Sequence, residues 1–187
     1  IRIDGAAEHP TALVQSTAMA SVPPPVPTYR PILPKNLVQD GLLSAPQLES
    51  VIYAGNAHET HLKGWFKRGE IEGQLMAAAE GDEGAFRLRK GWFLGDGTGC
   101  GKGRQVAGII LDNWLKGRRR AVWVSKSDKL IEDARRDWIA LGGRESDIVP
   151  LSKFRQGSDI RLPEGILFVT YATLRSAERE GKASRLD

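Results

Sequence analysis

The segment GWFLGDGTGCGKGRQVAGIILDNWL, residues 91–115, decides how the rest of the chain is read. Trp92, Phe93 and Leu94 make a short apolar run, five glycines with a lysine among them follow, and a helical pattern begins after Lys102. That order predicts a strand, a phosphate-cradling loop and a helix. A polyphosphate must approach several backbone N–H groups at once, and side chains at those positions would block it. Gly99 and Gly101 clear the space, and Lys102 brings a point charge to the β and γ phosphates. Asp96, Gly97, Thr98 and Cys100 complete the loop. The simpler alternative is a glycine-rich turn that joins strand to helix and binds nothing. The arrival of strand, loop, lysine and helix in the required order speaks against it.

The match to G-x-x-x-x-G-K-[ST] is incomplete at two places. Asp96 stands where the first glycine belongs, and Gly103 stands where a Ser or Thr hydroxyl would hold Mg²⁺. With no hydroxyl there, Mg²⁺ has to be held through water, by Thr98, or by acids outside this chain.

Composition sets the outer limits. The chain has 187 residues, 41% hydrophobic and 27% charged, which suits one domain with a proper core. No apolar run approaches the roughly 18 residues that a membrane span needs, so no membrane partner is expected. A single cysteine excludes an internal disulfide and suits a reducing compartment, the cytoplasm of a bacterium or the nucleus of a eukaryote. Three histidines without ligand spacing give no metal site. The net charge of +4 permits an anionic partner, although solubility alone would explain it. A chain that starts at Ile1 with no signal pattern is expected to be cut from something larger.

Residues 1–40 read as an extended, proline-rich arm. Pro23, Pro24, Pro25, Pro27, Pro31 and Pro34 favour a polyproline-like path, with residues 11–22 a candidate edge strand. Organisation begins at Leu42, and residues 41–187 are read as part of an ATPase lobe. Ser44 with Gln47 three places on is a capping-box signature, and Pro46 suits a first turn. A helix running to about His58 follows, with Leu48, Val51, Ile52 and Gly55 on one face. Gln47 has two compatible jobs: closing that cap, or reading an adenine edge with its amide.

Residues 63–90 form a charged, glycine-rich insertion in which residues 71–79 favour a short helix. Its Trp65, Phe66 and Phe86 lie among cations, so the insertion either clamps a single nucleic-acid strand or tucks its rings against the domain. Beyond the phosphate loop the pattern is that of a doubly wound α/β sheet. A helix buries Val106, Ile109, Ile110 and Trp114, and residues 121–124 make a strand. Leu130, Ala134, Trp138 and Leu141 mark a second helix, residues 148–149 a short strand and residues 166–169 a stronger one. Asp112 mimics a metal-holding aspartate but lies inside a helix, and solvent is its expected environment. Lys116, Arg118, Arg119 and Arg120 read either as a nucleic-acid patch or as cations favoured by a helix C-terminus.

Taken together, DGLLSAPQLESVIYAGNAHET, the loop stretch through AVWVS, KLIEDARRDW and ILFVTYATL resemble the first ATPase lobe of the strawberry notch family, relatives of superfamily 2 DEAD/DEAH helicases. The most specific piece is GDGTGCGKGRQ, because that family shows GKGR where others have GKT. The resemblance implies a P-loop NTPase, a RecA-like lobe with a mostly parallel sheet flanked by helices, present here in truncated form. It implies ATP with Mg²⁺ as cofactors. It also implies nucleic acid as partner, DNA ahead of RNA, a second ATPase lobe in the parent chain, and in bacterial relatives a fused methyltransferase domain.

Carried over by position, Gln47 matches the adenine-reading glutamine, Gly99, Gly101 and Lys102 the phosphate loop, and Arg104 its arginine continuation. The resemblance thereby implies Lys102 as the catalytic residue of this chain. Ser125, Lys126 and Ser127, and likewise Thr170, Tyr171 and Thr173, follow strands where such lobes touch nucleic-acid backbone. Hydroxyls and a lysine suit phosphate contact, and ordinary capping would also explain them. Hydrolysis needs an Asp-Glu pair at the end of a later strand and arginines from a second lobe, and no such strand-end pair appears before Asp187. The parent is therefore expected to hydrolyse ATP and this piece alone to turn over almost none. A phosphotransferase and a non-catalytic scaffold that keeps the loop as structure are the competing readings.

Overall fold

The computed structural model describes residues 2–71, 73–155 and 158–175. Its centre is a parallel three-stranded sheet of β3 (Arg120–Ser125), β5 (Gly165–Thr170) and β4 (Ile148–Pro150), in the order β3-β5-β4. The register pairs Trp123 with Phe168, Ser125 with Thr170 and Ile148 with Ile166. The strand that comes last in sequence thus sits in the middle. Its residues are buried on both faces, apart from half-buried Leu167, as the unbroken apolar run of a central parallel strand requires.

Three helices build the layer that carries the phosphate loop. These are α3 (Ala45–His58), α4 (Lys102–Leu115) and α5 (Ile131–Ala140). The core joins Leu43, Ala107, Leu111, Ala134, Trp138, Ile148, Ile166 and Phe168, with Trp114 tilted against Trp138 at 5.4 Å between ring centroids. α3 begins with the expected box: Ser44 N–H donates to Gln47 Oε1 at 3.1 Å, and Pro46 occupies the first turn. Gly142, at φ 94°, ends α5 in the left-handed region where a side chain would be strained. Gly108 lets α3 lie close, since a Cβ there would stand 2.9 Å from Val51 Cγ2.

Four expectations are corrected. Residues 92–94 form no strand, and Phe93 is 88% exposed. An apolar run becomes a strand only when a ladder partner exists, and among the described residues nothing pairs with it. The described residues of 71–79 hold no helix. Instead β2 (Leu75–Ala78) pairs antiparallel with β1 (Trp65–Arg68), and Phe86 bridges to Phe66 on the other side. Pairing across the hairpin overrides the helix propensity of Leu-Met-Ala-Ala. Trp65, Phe66 and Phe86 are half-buried within this unit, and the Arg87 guanidinium lies 5.9 Å from the Trp65 ring centroid. Residues 11–22 contain a short helix, α1 (Thr17–Ala20), and no edge strand.

The fourth correction concerns Asp112, which is 1% exposed. α4 is packed from more than one side, so Gln105, Ala107, Gly108, Leu111 and Asp112 are its buried residues, while Val106, Ile109, Ile110 and Trp114 are half-buried. The side that looked free is covered by the N-terminal arm. Tyr29 lies against Gly55, where any Cβ would overlap its ring, and donates its hydroxyl proton to Asp112 Oδ2. Ile32 N–H donates to Asp112 Oδ1 at 2.6 Å, and Lys116 Nζ stands 3.5 Å from Oδ2. Asn56 Oδ1 accepts from the backbone of Thr28 and Tyr29 at 3.1 and 3.0 Å. Burial first, and then the Asp112 carboxylate beside it, hold the Tyr29 phenol far above its ordinary range.

Candidate nucleotide site and strand-end surface

The loop from Asp96 to Gly101 hangs on the N-terminus of α4. Gly99 and Gly101 have φ of 93° and 70°, in the left-handed region that favours glycine, and Gly101 caps the helix in that conformation. Two glutamines hold the loop from behind. Gln105, 1% exposed, donates from Nε2 to Asp96 Oδ2 at 2.9 Å and to the Cys100 carbonyl at 3.0 Å. Gln47 Nε2 donates to the same carbonyl at 3.3 Å, and a Cβ on Gly101 would overlap that nitrogen. The capping box of α3 therefore reaches through one amide to the loop. Gln47 keeps one N–H and one lone pair beyond these bonds, the donor and acceptor pair that an adenine edge would need.

Lys102, the first residue of α4, is exposed and donates from Nζ to the carbonyls of Asp96 and Gly97 at 2.9 and 2.7 Å. The ammonium thus lies folded across its own loop at the positive end of the helix. Thr98 is exposed, and Cys100 is a half-buried free thiol. The Arg104 guanidinium donates to the Leu42 carbonyl at 3.0 Å and pairs with Asp137 of α5 at 3.4 Å. Gly103 faces that same acid, and a Cβ on it would overlap Asp137 Oδ2.

Sequence reasoning missed Gln105 and Asp137. A polar residue three places after the lysine was the signal for the first. The second gave no signal in the sequence, since Asp137 comes to Gly103 only through the packing of α5 on α4. Among the described residues no group of three or more His, Cys, Asp or Glu is arranged to hold a metal ion.

The other predicted residues meet at the carboxyl ends of the strands. Ser125 closes β3 and Thr170 closes β5, side by side in the ladder and both buried. Thr170 Oγ1 accepts from Thr173 N–H at 3.2 Å and shares a proton with Thr173 Oγ1 at 2.9 Å, starting the short helix α6 (Tyr171–Leu174). Ser127 Oγ caps the turn after β3 by accepting from Lys129 N–H at 3.3 Å. Lys126 and Tyr171 are exposed beside them. A cavity of about 490 Å³ opens here, lined by Asp128, Arg135, Ser152, Thr170 and Thr173 among others. Arg135 Nε is buried at this place without a hydrogen-bond acceptor among the described residues.

The basic run after α4 is divided. Lys116 serves the arm, its Nζ 4.1 Å from the Tyr29 ring centroid, while Arg118 donates to Asn113 at 3.0 Å and Arg119 pairs with Glu164 at 3.3 Å. Among the described residues, no helix is long and apolar enough to cross a membrane.

Comparison with known proteins agrees with this geometry. Residues 8–187 match the family model described as P-loop containing NTP hydrolase pore-1. Protein strawberry notch homolog 1 of Gallus gallus is 35% identical over 178 residues, covering 92% of this chain and 13% of that protein. Protein strawberry notch homolog 2 of Homo sapiens is 38% identical over 178 residues, 95% of this chain and 11% of that protein. Protein FORGETTER 1 of Arabidopsis thaliana is 34% identical over 179 residues, 94% of this chain and 12% of that protein. The chain thus spans about a tenth of the length of these curated relatives. No solved structure matches it. With a glycine loop and lysine at the head of α4 and a family match across nearly its whole length, the chain belongs to the P-loop containing NTP hydrolase pore-1 family, alongside the strawberry notch proteins.

Proposed function

We propose that this chain is the nucleotide-binding part of a nucleic-acid-dependent, helicase-like ATPase. The observation that carries the reading is the loop itself. Two left-handed glycines bare its amides at a helix N-terminus, and the Lys102 ammonium rests on loop carbonyls. Those two bonds are ones that phosphate oxygens can replace with a gain, because a charged acceptor binds an ammonium more strongly than a neutral one. Gln105 and Gln47 fix the loop from the side opposite the phosphates, so binding does not have to order it. Gln47 also offers its remaining donor and acceptor to adenine. Mg²⁺ would enter with the nucleotide and neutralise charge on its phosphate oxygens.

The strand-end surface supports the nucleic-acid half of the proposal. Lys126 and Tyr171 stand exposed over neighbouring strand ends, where a cation and a phenol suit contact with a phosphate backbone. DNA is the polymer we favour. Completion of the site by an acid pair and a second lobe is expected of the intact protein. The test is ATP hydrolysis by the intact protein with and without single- and double-stranded DNA and RNA. Stimulation by a polymer, abolished in Lys102→Ala, is expected, and equal rates with every polymer would overturn the nucleic-acid half.

A scaffold that retains the loop as structure is favoured by one feature, the lysine already satisfied by its own loop. Cys100 decides between the two. Mg-ATP added to the intact protein should shield its thiol from alkylation, and an unchanged alkylation rate would leave the scaffold.

A further inference from the structure

Gly103 removes the hydroxyl that a phosphate loop ordinarily offers to Mg²⁺, and α5 fills the space. A Cβ built on Gly103 would overlap Asp137 Oδ2, so a carboxylate oxygen lies where a Ser or Thr side chain would project. We propose that Asp137 is this chain's own oxygen ligand for the Mg²⁺ of the bound nucleotide, standing in for the absent hydroxyl. The inference rests on the nucleotide-binding reading above.

Three observations carry it. The acid is held in place: its side chain is 15% exposed, and Arg104 Nε engages Oδ1 at 3.4 Å, leaving Oδ2 as the oxygen that faces Gly103. The next residue, Trp138, is buried in the core and donates its indole N–H to Asp147 at 3.0 Å, which fixes this turn of α5. The donor chemistry also fits. Mg²⁺ takes hard oxygen ligands and is commonly held by one or two carboxylates together with substrate phosphates and water. Finally, a side chain at 103 would have to displace this carboxylate oxygen, so the departure from the usual loop and the present position of Asp137 go together. Arg104 serves as the positioning residue for the carboxylate.

The experiment measures binding of a fluorescent ATP analogue to the intact protein, first in EDTA and then across a Mg²⁺ titration. In the wild type, Mg²⁺ should tighten binding. In Asp137→Asn the metal-free affinity should stay close to wild type, while the gain from Mg²⁺ should fall by about ten- to a hundredfold, as expected for a disturbed metal site. Asp137→Glu, which keeps a carboxylate, should retain part of the gain and covers the case in which the asparagine variant fails to fold. Gly103→Ser combined with Asp137→Ala should recover Mg²⁺ dependence relative to Asp137→Ala alone, because it restores the ordinary hydroxyl in the vacated space. An undiminished Mg²⁺ gain in Asp137→Asn, or a double variant no better than Asp137→Ala, would overturn the assignment while leaving nucleotide binding intact. A wild-type protein that binds the analogue in neither condition would overturn the nucleotide-binding reading itself.

Discussion

The two ends of α4 hold their partners by opposite means. At the C-terminal end, Asp112 is sealed from solvent and its two oxygens take a phenol, a backbone N–H and a lysine. At the N-terminal end, Lys102 is exposed and, among the described residues, bonded only to neutral carbonyls of its own loop. Water cannot replace the first set without an unpaired buried charge, which is costly. A stronger acceptor can replace the second at little cost. One helix therefore carries a permanent joint and an exchangeable one, and burial decides which is which.

The sharpest way to break this contrast is at the exchangeable end. Lys102→Ala should lower polymer-stimulated ATP hydrolysis by the intact protein roughly a thousandfold, about 4 kcal/mol of lost stabilisation, while circular dichroism stays unchanged. Asp112→Ala should do the reverse. It leaves the Tyr29 phenol and the Ile32 N–H without their buried acceptor and removes one of two acids beside Lys116, which keeps Glu59 at 3.9 Å, and should cost about 3–5 kcal/mol of local stability, read as faster hydrogen exchange at Ile32 and along the arm. If exchange there stays slow, the joint is not permanent in the sense argued. Tyr29→Phe removes only the phenol proton from the same carboxylate and should cost about 1.5–3 kcal/mol by the same measurement.

The smallest expected effect is on pH dependence, at a second sealed acid. For Asp147, burial is the largest single influence and pushes the carboxyl up. Hydrogen bonds from the Arg144 backbone, the Trp138 indole and the Arg144 side chain outweigh it, so the group lies below its ordinary 3.8. A lowered carboxyl stabilises the fold fully above the ordinary value, and that contribution is lost as pH falls from 3.8 through the folded value. Asp147→Asn should therefore flatten acid unfolding in that window, and an unchanged acid limb would show that Asp147 contributes nothing there.

Much of this was readable from residue order. The capping box at Ser44 and Gln47, the glycine loop, and the apolar runs at 121–124 and 166–169 are local patterns, and local patterns dictate local backbone. What could not be read depends on pairing across distance. Residues 92–94 have strand composition without a ladder partner among the described residues. Residues 75–78 have helix formers that yield to a neighbouring strand. Asp112 looked solvent-facing because nothing in its own helix announces a tyrosine 83 positions earlier. Asp137 is similarly silent until α5 is laid beside Gly103. In both cases a titratable side chain was legible and its partner was not.

The sheet order has a consequence for synthesis. β3 and β4 flank β5 and, among the described residues, pair with no other strand, although both precede it along the chain. While the chain is being made, two apolar ribbons must wait unzipped until residues 165–170 emerge from the ribosome and slot between them. That interval is when stray strand pairing is most dangerous, and it makes this central insertion the step a chaperone would most usefully guard.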